Sequence, residues 1–188
     1  MEDCSISTGD DALCVKSGQD WAGRTFGVRS ENILFRRNRI GHGHGLSVGS
    51  DMSAGVRNVT FEDMVLNGTT NGVRMKSQRG RGGVAEEIVY RNITMAAISQ
   101  DPLQFTLNYH KGLSPTNATA TPIFRNVLVE DVVVQGAGSS GLYDGLPESI
   151  MNNIVLHRVT IAGAGPLSAC QYIYGTCEDV APCPSCFH

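Results

Sequence analysis

Two adjacent carboxylates near the start of the chain, Asp10 and Asp11, are the first residues that could do chemistry. Such a pair can supply one acid and one base, because neighbouring carboxylates repel each other and the pKa of one should rise toward that of a useful general acid. In isolation, however, an Asp-Asp pair after a glycine (Gly9) is most often a turn or an Asx cap. The pair therefore needs other chemical groups beside it before it indicates catalysis.

An imidazole and two cations follow further along the chain. His44 stands in Gly43-His44-Gly45, and Arg74 and Lys76 alternate with apolar residues in the segment 72–76. A glycosidase needs an acid to protonate the leaving oxygen, a base to activate water and groups that hold the sugar. The guanidinium fork of an arginine and the point charge of a lysine both suit a carboxylate. Because these residues lie far apart in sequence, the fold must bring them together.

An internal repeat supplies such a fold. Each of five copies has Ile or Val after its first position, a large apolar residue two places further on, and then a polar break. The copies begin at Asn32, Asn58, Glu87, Asn126 and Asn153, and their polar breaks lie at Arg37-Asn38, Asp63, Asn92, Asp131 and Arg158. The alternation of apolar and polar residues has a period of two, which is typical of strands with one buried face.

The spacing of the copies, 26 to 39 residues, predicts a solenoid rather than hairpins. A second short strand is predicted in the early turns around Leu13, Leu46, Val73 and Phe105. The prediction is an all-β, right-handed parallel β-helix; a β-sandwich is the alternative, but it would show turn signals roughly every 8 to 12 residues. Since stacked strands lie about 4.8 Å apart, the coil would place the carboxylates, the imidazole and the cations in one groove.

The segments between the repeats set the predicted boundaries. Residues 19–31 and 108–122 are rich in Gly, Ser, Thr, Asn and Pro and are predicted to be loops that project from the solenoid. The last turn is expected to end near Ile161, and residues 162–188 are expected to form a Cys-rich tail that caps the last coil. The whole chain, 1–188, is predicted to be a single domain.

Charge is unevenly distributed along the chain. The net charge is −3, yet 12 of the 15 Lys and Arg and only seven of the 18 Asp and Glu lie between Lys16 and Arg91. A basic region within an acidic protein favours a polyanionic ligand, although a solvated charged face is also common. No stretch approaches the roughly 18 consecutive apolar residues of a membrane span. We expect neither a membrane nor a nucleic-acid partner, and we expect a monomer.

Cysteines and glycosylation sequons point to an oxidising, secretory history. Four of the six cysteines crowd into residues 170–186, which favours disulfides over the zinc-ribbon spacing of Cys183 and Cys186. The two histidines of segment 41–45 are a weak metal pattern, and no metal or cofactor is expected. Residues 1–30 contain no signal peptide, so either the protein is not secreted or its N-terminus is missing. The four sequons begin at Asn58, Asn67, Asn92 and Asn117.

Three motifs in this order resemble those of polygalacturonases, family 28 of the glycoside hydrolases. They are Ser7 to Asp11 with the segment 15–18, the segment 43–50, and the segment 72–76 followed by the Gly-Arg-rich segment 80–83. The resemblance extends from Glu2 to about Ile161. It implies a right-handed parallel β-helix and inverting hydrolysis of α-1,4 linkages between galacturonates in pectin.

The same resemblance implies a role for each candidate residue. Asp10 would be the general acid, Asp11 would help to activate water, and His44 would support the protonation of the acid. Arg74 and Lys76 would bind a galacturonate carboxylate, and Tyr109 would stack on the substrate. The implied partner is polygalacturonate or pectin, and the implied location is extracellular or in a cell wall.

The chain also departs from the family pattern. Family members carry a third catalytic Asp in an Asn-Thr-Asp motif on the preceding coil, and this sequence contains no such motif before Asp10. Because the sequence opens in the middle of a predicted strand, we expect a β-helix truncated at its N-terminus. The alternatives are a non-catalytic pectate-binding β-helix, a pectinase acting on rhamnogalacturonan, and a purely structural solenoid.

Overall fold

Fourteen strands and one short helix form the described part of the chain, residues 1–109 and 120–187 of a computed structural model. The elements are, in order, β1 (Ser5–Ser7), β2 (Leu13–Val15), α1 (Asp20–Phe26), β3 (Ser30–Arg36), β4 (Arg39–His42), β5 (Leu46–Gly49), β6 (Val56–Asn67), β7 (Val73–Lys76), β8 (Val84–Ile98), β9 (Leu103–Thr106), β10 (Ile123–Ala137), β11 (Leu142–Asp144), β12 (Met151–Ala164), β13 (Ala169–Gln171) and β14 (Ile173–Ala181).

The strands alternate between two sheets, and every pairing between these strands is parallel. The larger sheet runs β1-β4-β6-β8-β10-β12-β14, with β3 also paired to β6, and the smaller one runs β13-β11-β9-β7-β5-β2. Each strand of the smaller sheet therefore lies beside its counterpart from the next turn. This topology confirms the right-handed parallel β-helix and excludes the β-sandwich, whose sheets are antiparallel.

The repeat owes its polar positions to bends in the backbone. The first residue of each copy and the residue at each polar break adopt the left-handed conformation, with φ between 50° and 59°. Asparagine and aspartate tolerate this conformation better than most other residues, because their short polar side chains hydrogen-bond locally. Equivalent side chains also bond between turns, for example Asn58 Nδ2 to Asn32 Oδ1 at 2.7 Å and Asn92 Nδ2 to Asp63 Oδ1 at 2.6 Å.

Apolar ladders fill the interior of the coil. The rings of Phe35, Phe61 and Tyr90 stack in register, with centroids 5.0 and 4.9 Å apart. Residues of the smaller sheet face them, and Leu46, Val73 and nearly all their neighbours in this core are fully buried. The ladders give each turn a fixed register on the next, and that register positions the polar residues of the smaller sheet.

The segment 19–31 differs from its predicted loop, because it contains α1 and the start of β3. The helix has only seven residues, too few to show a helical period in the sequence. Its position is held by Arg24, whose NH1 donates to the carbonyls of Gly80 and Arg81 at 2.6 and 2.8 Å. The second predicted loop, 108–122, and the sequon at Asn117 lie largely or wholly outside the described residues.

The coil continues beyond Ile161, where the last turn was expected to end. Strand β12 runs to Ala164, and β13 and β14 add another turn beside β11 and β12. The four tail cysteines form disulfides, as predicted, and the structure gives their pairing as Cys170–Cys186 and Cys177–Cys183, so neither Cys183 nor Cys186 belongs to a zinc site. No helix in the described ranges has the length and apolar character needed to cross a membrane.

Candidate active site

The smaller sheet brings the predicted site residues together from four neighbouring strands. Asp10 and Asp11 lie in the turn before β2, and His44 lies in the turn before β5. Arg74 and Lys76 belong to β7, and Tyr109 follows β9. These strands stack in the order β2-β5-β7-β9, so residues nearly 100 positions apart in sequence meet at one place on the smaller sheet, which we call the groove.

The Gly-His-Gly motif exists because the turns pack closely. Gly45 has a φ of 71°, and a Cβ there would lie 2.2 Å from the carbonyl oxygen of Gly72 in the next turn. Gly43 has a φ of 112°, and a Cβ there would lie 2.4 Å from Thr8 Oγ1 in the previous turn. Glycine alone fits both positions, and the two glycines together direct His44 toward the carboxylates.

Asp10 is the exposed carboxylate of the pair, with 85% of its side chain accessible to solvent. Its Oδ1 accepts the backbone N–H of Asp11 at 2.7 Å and lies 3.0 Å from Nδ1 of His44. The hydrogen bond from this N–H, helped by His44, lowers the pKa of Asp10 despite the neighbouring charge of Asp11. The expectation that one pKa of the pair rises is therefore wrong for this structure.

Asp11 is the buried carboxylate, with 10% of its side chain accessible. Its Oδ1 accepts hydrogen bonds from Ser47 Oγ at 2.8 Å and Arg74 NH1 at 3.0 Å, and its Oδ2 accepts from Lys76 Nζ at 2.7 Å. Burial alone would raise the pKa of Asp11, but the bonds from Lys76 and Ser47 and the charge of Arg74 outweigh it, so the pKa is lowered.

Arg74 and Lys76 are almost completely buried, with 7% and 6% of their side chains accessible. Tyr109 covers both: its ring centroid lies 5.3 Å from the Arg74 guanidinium carbon and 5.1 Å from Lys76 Nζ. The Tyr109 hydroxyl also accepts a hydrogen bond from Arg74 NH2 at 3.3 Å. The two predicted uronate-binding cations thus already share a carboxylate partner, Asp11, and lie beneath an aromatic ring.

Two residues of this cluster, Ser47 and Gln104, were not identified from the sequence as site residues. They flank Arg74 in one row across the sheet, since Ser47 pairs with Arg74 and Arg74 pairs with Gln104. Each is a buried polar residue between apolar neighbours of a short strand. Aligning the strands by their apolar residues would have placed both beside Arg74.

Asp10, Asp11 and His44 also form a group in which one potential metal-ligand atom from each lies within 4.8 Å of the others. The two oxygens of Asp11 already accept hydrogen bonds from Arg74 and Lys76, however. A metal cation at this position would be repelled by both cations. The groups of this cluster that suit an anionic ligand are the cations Arg74 and Lys76, and they make the position unfavourable for a metal cation. His42, the other histidine of the motif, faces the backbone carbonyl of Thr8 at 2.6 Å.

Comparisons with known proteins identify the family of the chain. The model of the family "Glycosyl hydrolases family 28" matches residues 1–182. A probable polygalacturonase of Vitis vinifera is 28% identical over 193 residues, covering 98% of this chain and 39% of that protein. A polygalacturonase of Ralstonia nicotianae is 35% identical over 130 residues, covering 67% of this chain and 22% of that protein.

A solved structure, a hyperthermoactive exopolygalacturonase from Thermotoga maritima, matches with a TM-score of 0.89 and 30% identity over 95% of this chain and 40% of its own. A family 28 exopolygalacturonase of Yersinia enterocolitica matches with a TM-score of 0.73 and 20% identity, over 98% of this chain and 34% of its own, and supports the fold alone. The chain thus spans less than half the length of these relatives. The family match across nearly the whole chain shows that it belongs to the glycosyl hydrolases of family 28.

Proposed function

We propose that the chain forms the catalytic part of a glycoside hydrolase that cleaves α-1,4-galacturonosidic linkages in polygalacturonate. One observation carries the proposal: a carboxylate pair, an imidazole and two buried cations converge on neighbouring strands of one sheet. Relatives that share the family are named polygalacturonases, which supports the same substrate class for this chain.

The two carboxylates have different environments, and these suggest different roles. Asp11 is fixed by three donors and its pKa is lowered, so it stays ionised and can accept a proton from an attacking water. Asp10 is exposed, and its pKa can change when substrate binds. A bound uronate would exclude water and add negative charge, and both effects raise the pKa of a carboxyl group, so Asp10 could then carry the proton that it donates to the leaving oxygen. His44, 3.0 Å from Asp10, can hold or exchange that proton.

The inverting outcome belongs to this proposal through the family resemblance. Carboxyl groups of inverting enzymes are commonly about 6.5–9.5 Å apart, whereas an oxygen of Asp10 lies within 4.8 Å of one of Asp11. The shorter spacing reflects the adjacency of the two residues in sequence. The spacing itself therefore does not argue for inversion, and the anomeric form of the first product, observed by NMR, would decide it.

The substrate carboxylate is proposed to bind beside Arg74 and Lys76. Both keep donors beyond those used by Asp11, because a guanidinium carries five N–H groups and an ammonium three. Tyr109 lies against both cations and offers an aromatic face on which a sugar ring can stack. Arg74 and Lys76 together carry one more positive charge than Asp11 balances, so the carboxylate of a uronate is favoured over a neutral sugar.

Release of reducing ends from polygalacturonate by the full-length protein tests the proposal. We expect Asp10→Asn to lower the rate by at least about a hundredfold, because removal of a general acid commonly costs 10²–10⁴-fold. Asp131→Asn makes the same chemical change on the larger sheet, where the side chain pairs with Arg158, and should leave the rate unchanged. Equal rates in the wild type and Asp10→Asn would overturn the role of Asp10.

A second candidate, a non-catalytic pectate-binding β-helix, is favoured by one observation. The pKa values of both carboxylates are lowered, so neither holds a proton near neutral pH in the free protein. Binding of polygalacturonate that weakens with salt and with Arg74→Ala, without release of reducing ends at any pH, would establish this candidate instead.

Secretion belongs to the proposal as well. Two disulfides in the tail are typical of proteins that fold in an oxidising compartment, and the sequon residues Asn58, Asn67 and Asn92 are exposed. We propose a secreted, monomeric, single-domain glycoprotein that acts on cell-wall pectin. Finding the protein only in the intracellular fraction of its source cells would contradict the location.

A further inference from the structure

A buried polar chain lies beneath the groove and reaches Arg74 from the side opposite Asp11. Gln104 Oε1 accepts a hydrogen bond from Arg74 Nε at 2.6 Å, and Gln104 Nε2 donates to Asp101 Oδ2 at 3.2 Å. All three side chains belong to the buried part of the molecule. Neither Gln104 nor Asp101 has a role in the chemistry proposed above, so their burial requires another explanation.

The orientation of the Gln104 amide follows from its two neighbours. Arg74 can only donate and a carboxylate can only accept, so the amide oxygen must face Arg74 and the amide nitrogen must face Asp101. The opposite orientation would set two donors against each other and two acceptors against each other. Asp101 thereby decides which end of the Gln104 amide faces Arg74.

Asp101 is itself held by the following turns of the coil. Its Oδ1 accepts hydrogen bonds from Ser139 Oγ at 2.6 Å and Ser168 Oγ at 2.7 Å. Ser139 Oγ in turn accepts the backbone N–H of Gly141 at 3.0 Å. Both carboxylate oxygens therefore have donors, which is the condition for keeping a buried carboxylate in one orientation.

Because Nε of Arg74 donates to Gln104, the two terminal nitrogens of Arg74 remain to make contacts in the groove. NH1 donates to Asp11 Oδ1 at 3.0 Å, and NH2 donates to the Tyr109 hydroxyl at 3.3 Å. We propose that Gln104, oriented by Asp101, is a positioning residue that turns the two terminal nitrogens of Arg74 toward the groove, where they meet a uronate carboxylate. The part of this inference that concerns the uronate rests on the proposed function.

NMR of the Arg74 side chain tests the positioning without any substrate. The Nε–H signal, assigned by its absence in Arg74→Lys, should exchange slowly with water in the wild type because Gln104 accepts it. In Gln104→Met, a side chain of similar length without an acceptor, the exchange should be at least about tenfold faster. An unchanged Arg74 signal in a folded Gln104→Met protein would overturn the inference.

Two further variants separate positioning from general destabilisation. Gln104→Glu keeps an acceptor for Arg74 and should retain the slow exchange of the Nε–H. Repulsion between the new carboxylate and Asp101 is expected to lower the stability of this variant without changing that result. Gln171→Met removes a similar Gln–Asp hydrogen bond, from Gln171 Nε2 to Asp144 Oδ1, and should leave the Arg74 signal unchanged. If Gln104→Met does not fold, a fast-exchanging Arg74 signal in Gln104→Glu overturns the inference by itself.

Binding of trigalacturonate, followed by titration calorimetry, measures the consequence for the groove. The dissociation constant should rise about tenfold in Gln104→Met, because a misplaced Arg74 would lose a hydrogen bond to the uronate carboxylate. It should remain unchanged in Gln171→Met. A wild-type protein that does not bind trigalacturonate contradicts the proposed function, whereas the NMR result still decides whether Gln104 positions Arg74. A wild-type affinity retained in Gln104→Met, with wild-type binding present, contradicts the inference.

Discussion

The two sheets carry ion pairs of similar length in very different surroundings. On the larger sheet, Arg158 NH2 lies 2.7 Å from Asp131 Oδ2, and nearly half of each side chain is accessible to solvent. On the smaller sheet, Lys76 Nζ lies 2.7 Å from Asp11 Oδ2, and a tenth or less of each side chain is accessible. Distance therefore does not distinguish the two kinds of pair, but burial does.

The difference shows that buried charges on the smaller sheet carry a desolvation penalty that the exposed charges on the larger sheet do not. Exposed pairs between turns are screened by water and contribute little to stability. Burying a carboxylate with two cations carries a desolvation penalty that pairing only partly offsets, and groups kept in this way commonly belong to functional sites. The contrast between the sheets therefore supports the placement of the site on the smaller sheet, independently of the family motifs.

Removing Asp11 should produce the largest effect. Asp11→Ala leaves Arg74 and Lys76 buried without their shared carboxylate, so we expect the free energy of unfolding to fall by about 3 kcal/mol. Urea unfolding followed by circular dichroism would measure it through the midpoint and the m-value. The control on the larger sheet, Asp131→Asn, breaks the exposed pair with Arg158 but keeps a side chain that tolerates the left-handed φ of 53° at this position, so it should show no resolvable change in the midpoint. Similar losses in both variants would remove the distinction between buried and exposed pairs.

A smaller effect is expected from acid. The folded-state pKa of Asp11 lies below its ordinary value of 3.8, so the unfolded chain binds more protons in this range and stability rises with pH there. The contribution of Asp11 is complete above about pH 5 and is lost as the pH falls through the lowered folded-state value. The difference in unfolding free energy between the wild type and Asp11→Asn should therefore shrink from pH 5 to about pH 3. A difference that stays constant over this range would contradict an ionised, ion-paired Asp11.

Much of the fold could be predicted from the sequence because the coil repeats itself. The Ile or Val after each first position and the polar breaks at residues such as Asp63 and Asn92 mark the bends of successive turns. Helix α1 and strand β13 could not be recognised, because seven helical residues and a three-residue strand are too short to show a period. Strand β14 has nine residues, but its apolar residues do not follow the pattern of the earlier copies.

The site was only partly predictable, for a different physical reason. Sequence motifs indicated Asp10, His44 and Arg74, but the pKa expectation for the carboxylate pair failed because it left out two kinds of hydrogen bond. The backbone N–H of Asp11 donates to Asp10, and the side chain of Lys76 donates to Asp11. Charge balance in a β-helix depends on residues one and two turns away. Neighbours such as Ser47 carry no motif of their own and become visible only when the strands are placed in register.

Binding of trigalacturonate by calorimetry, with Arg74→Ala compared with Arg158→Ala, tests the central claim most directly. The account predicts that the wild type binds, that Arg74→Ala raises the dissociation constant at least about tenfold, and that Arg158→Ala, an equal loss of charge on the larger sheet, leaves it unchanged. Equal weakening in the two variants would show that only net charge attracts the uronate. Equal weakening, or no binding by the wild type, would contradict a uronate site built on the buried cations of the smaller sheet.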